Sequence, residues 1–356
     1  MDLNDRKLKI LKAIISSYIR EGEAVGSRTI SKKHGLGISS ATVRNEMADL
    51  EDLGYLTQPH TSAGRIPTDK AYRLYVNNLL KRTPANKYNA QINKILQDEI
   101  DEMTSFIKNS ARILSNFTHY TSFAMTPQLK ESKVKHIQLV PVTEKKILMV
   151  LVTENNIIKN VVFNLNQPIP PSQLNRISNL LTEKLSGIKL SMMDENMKRR
   201  IANEIYAIRE SLDDKIDELL ILLMNTANKY EQVDLYYDGL TNILNYPEYS
   251  DTSKAKELLS FVEDKENFTR ALLNASTEDL NIVIGKENEF DQIKECSIVT
   301  ATYKLNGIVI GKVGLIGPTR MDYQNVIAMI KALSLNINRL INENYNENKR
   351  SKPNDQ

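Results

Sequence analysis

The sequence predicts an α+β multidomain fold led by a winged helix-turn-helix, and three observations carry that reading. The first eighty residues hold three helix-spaced apolar runs, then a short strand, a turn-rich tip and a returning strand. From residue 134 the apolar period shortens from helical to alternating. A helix-rich interval then separates those strands from a second set near residues 281–316.

A chain of 356 residues has room for two or three domains and a core that needs no staples. Hydrophobic residues at 41% and charged residues at 26% place it among soluble globular proteins. Cys296 is the only cysteine, which rules out an intrachain disulfide and a cysteine-built metal cage and fits a reducing compartment. It reads as a small buried hydrophobe. Residues Met1–Lys9 have neither the apolar core nor the cleavage site of a signal peptide. The runs Ile137–Val142 and Ile147–Val152 are too short to span a bilayer. The expectation is a cytoplasmic protein with no membrane partner. Its net charge is +3, yet residues 1–83 carry fourteen Lys/Arg against nine Asp/Glu, leaving +5 there and −2 on the remainder. A basic segment on a near-neutral body points to a polyanion.

Asp5–Arg20 places Leu8, Leu11, Ile14, Ile15 and Tyr18 or Ile19 on one helical face, and Gly22 stops it. Ser27 is positioned to cap a short helix, Arg28–His34, that ends at Gly35. Ser39 or Ser40 caps a third helix running to about Asp52. Gly54–Gln58 is a strand, Pro59–Gly64 a tip and Arg65–Pro67 the return, so the hairpin forms a wing. At 100° per residue, Val43, Met47 and Leu50 share the inward face of the third helix, while Ala41, Thr42, Arg44, Asn45 and Ala48 point away. Arg44 suits a bidentate pair with guanine, Asn45 a pair with adenine and the Thr42 methyl a thymine. Ser39, Ser40 and the first-turn amides suit a phosphate. On the wing, His60, Thr61 and Arg65 are candidates for the DNA backbone or minor groove, and Lys70 for a phosphate. Arg28, Lys32 and Lys33 would set register without reading sequence.

Thr68–Leu80 forms another helix, with Tyr72, Tyr75, Val76 and Leu79 on one face. Gln91 to about Tyr120 is a long helical stretch. Val134–Val142, Lys146–Thr153 and Ile157–Phe163 read as strands, and Ser172–Leu185 as a helix after Pro168, Pro170 and Pro171. Helical stretches at 195–229, 251–263 and 265–275 follow, then a strand at Asn281–Gly285. The hairpin Ser297–Leu305 and Ile308–Ile316 turns at Asn306-Gly307. Thr319 caps a last helix, Met321–Asn342, and Asn344–Gln356 reads as a disordered tail. The early and late strands together suggest one mainly antiparallel α+β domain interrupted by an insertion.

The string ISSATVRNEMADLEDLGYLTQPHTSAGRIPTDKAYRLYV (Ile38–Val76), with NYPEY at Asn245–Tyr249 and GPTRMDY at Gly317–Tyr323, resembles the bacterial heat-inducible transcription repressor family HrcA, over nearly the whole chain. The resemblance implies a winged-helix domain at 1–83, a helical linker at 84–130 and a GAF-like domain at 131–187 and 281–343. It further implies an inserted dimerising domain at 188–280, with a tail at 344–356. It implies a homodimer that binds an inverted-repeat operator in double-stranded DNA upstream of chaperone operons, with activity maintained by the GroE-type chaperonin. Operator-binding positions carry over to Thr42, Arg44 and Asn45 and to the wing residues.

No residues demand a catalytic, metal or cofactor site. His34, His60, His119 and His136 are scattered, and no nucleophile elbow exists. Gly311, Gly314 and Gly317 fit neither a dinucleotide fingerprint nor a P-loop. The alternatives are a transcription factor that senses a small molecule in the GAF-like domain, and an enzyme with an accessory winged helix.

Overall fold

The structure is a computed structural model that describes residues 3–33, 37–60, 63–82, 88–97, 103–125, 133–154, 158–165, 168–189, 234–274, 278–305 and 307–350. Helix α1 (Asp5–Glu21) starts where the Asn4 side chain accepts a bond from the Lys7 amide at 2.8 Å. It ends where Gly22 takes up a left-handed φ of 71°. Helix α2 (Ser27–Lys33) already contains Ser27, so the expected serine cap is displaced: the Ile30 amide bonds to the Gly26 carbonyl at 3.3 Å. Helix α3 (Ser40–Asp52) is capped by Ser39, whose Oγ accepts from the Thr42 amide at 3.1 Å.

The end of α3 aims the wing. The Gly54 amide bonds to the Glu51 carbonyl (2.8 Å) and the Tyr55 amide to the Leu50 carbonyl (2.9 Å), with Gly54 at φ 75°. This paired reverse closure needs a left-handed residue, which glycine supplies without strain. Strand β1 (Leu56–Thr57) then pairs antiparallel with β2 (Ile66–Pro67). Two residues per strand hold little by themselves, and the loop before α2 braces them: Val25 and Arg65 exchange backbone bonds of 2.9 and 3.0 Å. Gly64 permits that approach, since a side chain there would run into the Val25 carbonyl. Helix α4 (Asp69–Arg82) buries Ala71, Tyr72 and Val76.

The long helical stretch expected at 91–120 contains α5 (Asn89–Gln97) and α6 (Met103–Thr118), with 98–102 outside the described residues. After His119, strand β3 (Thr121–Met125) follows, which the sequence reading missed. Strands β4 (Val134–Thr143), β5 (Lys146–Thr153) and β6 (Ile158–Asn164) come next, then α7 (Pro171–Leu185). Strand β7 (Leu235–Asp238), also missed, precedes α8 (Thr252–Glu263) and α9 (Lys265–Asn274). The chain closes with β8 (Leu280–Ile284), β9 (Cys296–Leu305), β10 (Ile308–Pro318) and α10 (Tyr323–Arg350). The expected helix within 195–229 lies outside the described residues.

The strands form antiparallel sheets, but their grouping corrects the expectation. A five-stranded sheet runs β7-β3-β10-β9-β8, and β4-β5-β6 form a separate sheet. Residues 134–164 therefore do not share a sheet with 280–318. Because β3 pairs with β7, Leu235–Asp238 belongs to the larger sheet while β4–β6 stand outside it, so the expected insertion bounds of 188–280 do not match the sheet. In the smaller sheet β5 alternates buried residues with exposed or half-buried ones, and α7 covers the buried face with Leu174, Ile177 and Leu181. The end of the chain differs too. The Asp322 carboxylate, not Thr319, accepts from the Asn325 amide (3.2 Å) at the start of α10. The helix runs on to Arg350 instead of giving way to a tail at 344; the chain from 351 lies outside the described residues.

One core runs from the head (Ile14, Val43, Leu50, Tyr72) through α6 and α10 to one face of the five-stranded sheet (Val299, Val313, Leu315). The other face packs on α8 and α9 through Phe123, Leu258 and Phe268. No helix among the described residues is long and apolar enough to cross a membrane.

Candidate nucleic-acid interface

Helix α3 has the inward face that its spacing predicts. Val43, Met47 and Leu50 are buried, whereas Ala41, Arg44, Asn45 and Ala48 are exposed and Thr42 is half-buried. Among the described residues neither the Arg44 nor the Asn45 side chain makes a hydrogen bond or an ion pair. The outward face is therefore small at Ala41 and Ala48, and it presents one guanidinium and one carboxamide whose donors and acceptors are not taken up within the described residues. That combination matches what a base edge in the major groove requires.

The flanks of α3 are tied down. On one side the Lys7 ammonium bridges Glu46 Oε2 and Asp49 Oδ2, both at 2.8 Å, and Arg6 lies 3.6 Å from Glu46. Those two carboxylates hold the Lys7 ammonium above its ordinary pKa. On the other side Arg65 Nε donates to Glu51 at 2.8 Å. Three acidic residues of the helix are thus answered inside the head, and little uncompensated negative charge remains on its flanks to repel a polyanion. Sequence reasoning missed the Lys7 bridge. The available signal was Glu46, which at 100° per residue falls about 40° from Leu50 at the edge of the buried stripe and is itself buried, where an unpaired carboxylate is costly.

The other expected contact residues fall into two groups. Ser39 and Ser40 stand at the start of α3, and the Ser39 hydroxyl is engaged with the Thr42 amide and the Thr42 hydroxyl (2.9 Å). His60 is exposed at the wing tip, which the Gln58 carboxamide shapes by donating to the Ala63 carbonyl at 3.0 Å. Thr61 lies outside the described residues. Arg65 and Lys70 instead brace the far end of α3. Lys70 donates to the Leu53 carbonyl at 2.8 Å and rides over the Tyr55 ring, 4.5 Å from its centre. On α2, Arg28 and Lys32 are exposed, and Lys33 pairs with Glu21 at 2.8 Å.

Residues 2–80 match the family model described as a winged helix-turn-helix transcription repressor, HrcA DNA-binding. Residues 104–327 match the HrcA protein C terminal domain. This chain belongs to the HrcA family. Curated relatives named heat-inducible transcription repressor HrcA agree over almost the full length. The Clostridioides difficile protein is 44% identical over 343 residues, covering 95% of this chain and 100% of its own. That of Ruminiclostridium cellulolyticum is 43% identical and covers 96% and 98%; that of Alkaliphilus metalliredigens is 41% identical and covers 97% and 100%. A crystal structure of a hypothetical protein shares the fold at a TM-score of 0.69 and 23% identity, covering 96% of this chain and 99% of that one. The HrcA head thus consists of α1 to α4 with its wing, and the HrcA C-terminal region spans both sheets.

The lone thiol is chemically quiet. Cys296 is buried 3.1 Å from the Tyr249 hydroxyl, and burial pushes its pKa up to about 12. It stays protonated at neutral pH and is no nucleophile there.

Proposed function

We propose that this chain is a regulator, not a catalyst, that represses transcription of heat-shock chaperone operons. As a homodimer it binds an inverted-repeat operator in double-stranded DNA. The observation that carries the reading is the outward face of α3, with Arg44 and Asn45 uncommitted above a fixed inward face. Thr42, Arg44 and Asn45 read bases in the major groove. Ser39, Ser40, His60, Thr61, Arg65 and Lys70 hold the sugar–phosphate backbone or the minor groove. Arg65 does so as a shared charge, since Glu51 already takes one of its donors.

In this proposal residues 1–83 are the DNA-binding head, and helices α5 and α6 connect it to the body, which β3 enters at Thr121. The five-stranded sheet is the GAF-like body, and the unit built on β4–β6 and α7 is the dimerising insertion. The regulator works in the cytoplasm, and the GroE-type chaperonin keeps it active. The test is a footprint with purified protein on DNA upstream of a chaperone operon, with and without chaperonin. Protection of two symmetric half-sites supports the reading, with occupancy raised by chaperonin. Protection that ignores sequence, or none at any concentration, refutes it.

A further inference from the structure

Two motifs singled out in the sequence, Asn245–Tyr249 and Gly317–Tyr323, are not part of α3, and the structure brings them together against the end of α1. Arg320 of the second motif forms an ion pair with Glu248 of the first, its Nη2 lying 3.1 Å from Oε2. Its Nη1 donates to the Ile19 carbonyl at the end of α1, at 3.1 Å. Gly22, the left-handed closing residue of α1, lies beside the guanidinium. Tyr246 stacks on Tyr120 with ring centres 5.3 Å apart, and the Tyr120 hydroxyl accepts from the Asp322 amide at 3.0 Å. Tyr323 reaches Tyr72 of α4 at 5.8 Å between ring centres, and both are buried.

A second tie lies at the start of α4. Arg73 donates to Glu287 at 2.8 Å and to the Ile282 carbonyl at 2.6 Å. Asp69 accepts from the Lys286 amide at 3.0 Å, and Gly285 has no space for a side chain against that carboxylate. The two ties engage different helices of the head, α1 and α4, so together they restrain rotation as well as separation. The Arg320 side chain is only 10% exposed, which protects its pair from solvent and salt.

We propose that Arg320, Glu248, Arg73 and Glu287 are positioning residues for operator binding: they hold the head at one fixed angle on the body and thereby fix the spacing of half-sites a dimer accepts. The inference rests on the proposed dimeric repressor. Two recognition helices carried on rigid arms meet half-sites at one separation and one helical phase. Inserting about five base pairs turns one half-site to the opposite side of the duplex, since a turn takes about 10.5 base pairs. Rigid arms cannot follow that rotation; loosened arms can, because a flexible tether keeps its second head near any reachable site.

The experiment uses the full chain, with Glu248→Gln and Glu287→Gln combined in one variant and Arg320→Met as another. Affinities are measured for three duplexes: one half-site, the operator found by footprinting, and that operator lengthened by five base pairs between half-sites. The wild type is expected to favour the natural spacing by about tenfold or more, and each variant by less than about threefold, with half-site affinity unchanged. An unaltered spacing preference in both variants overturns the proposal. Loss of half-site binding in both also overturns it, because the ties would then maintain the fold of the head and not its angle. Failure of the wild type to bind the half-site and the operator at all would instead refute the repressor reading.

Discussion

Replacing Gly64 with alanine should loosen the wing and nothing else in the head. A Cβ at this position would sit within 2.8 Å of the Ala24 carbonyl carbon and still closer to the Val25 carbonyl, which real contacts do not permit. The backbone at Gly64 does not require a left-handed residue, so the cost comes from that collision alone. Relief requires the segments to part, and the bonds at risk are the 2.9 and 3.0 Å pair between Val25 and Arg65. At about 1 kcal/mol net for each backbone hydrogen bond, Gly64→Ala costs about 2 kcal/mol. The Arg65–Glu51 pair is lost with the wing's placement. Gly26→Ala is the control, because nothing lies within 4 Å of a Cβ there. Thermal unfolding monitored with operator affinity over a salt series provides the assay. Gly64→Ala should melt earlier and bind all DNA more weakly, while keeping most of its preference for operator over scrambled duplex. Equal melting and equal affinity for the two variants would refute the claim that the wing is held through Val25.

Ser39→Ala removes the acceptor of the Thr42 amide and should cost about 1 kcal/mol, read from denaturant midpoints. An unchanged midpoint would show that the cap contributes nothing. Arg44→Ala should cost about 1–3 kcal/mol for each half-site and relax selectivity at one base position, read from affinities for a set of single-base operator variants. Arg65→Ala should lower affinity evenly across sequences and flatten the dependence of log K on log salt by about 0.9 per head, if one phosphate contact is lost. A slope equal to wild type removes Arg65 from the phosphate contacts. Burial raises the Cys296 pKa from 9.0 to about 12, so the folded protein keeps a proton that the unfolded chain releases above about pH 9. This group therefore contributes stability at neutral pH that declines between pH 9 and 12. Comparison of Cys296→Ala with the parent across that range should show a difference that shrinks as pH rises.

The head was legible because each of its elements carries a local signal. The 3.6-residue stripes gave the inward face of α3 and the Leu11, Ile14 and Ile15 part of that of α1, with Ser39 marking the start of α3 and Gly22 the end of α1. The Asn306-Gly307 dipeptide gave the β9–β10 hairpin, with Gly307 at φ 84°. The sheet grouping was not legible, for a physical reason. β3 is buried at all five positions, so it shows no alternation, and β7 has only four residues. Missing both strands concealed the return of the chain to the larger sheet, and the early and late strands were merged. Among the contact candidates, exposure at Arg44 and Asn45 follows from helical angle alone. The engagement of Arg65 with Glu51 and of Lys70 with the Leu53 carbonyl depends on how the wing folds back on α3. No period or spacing reports that.

The most direct test places a cleaving reagent on the outward face of α3. Ala48 is small, exposed and on the same side as Asn45, and the native thiol of Cys296 is buried. An Ala48→Cys protein carrying a thiol-linked iron chelate, bound to its operator, should cut both DNA strands within each half-site and nowhere between them. Cuts confined to flanking DNA, or none while a chelate on the wing at His60→Cys cuts freely, would contradict the assignment of α3 as the helix that reads the sequence.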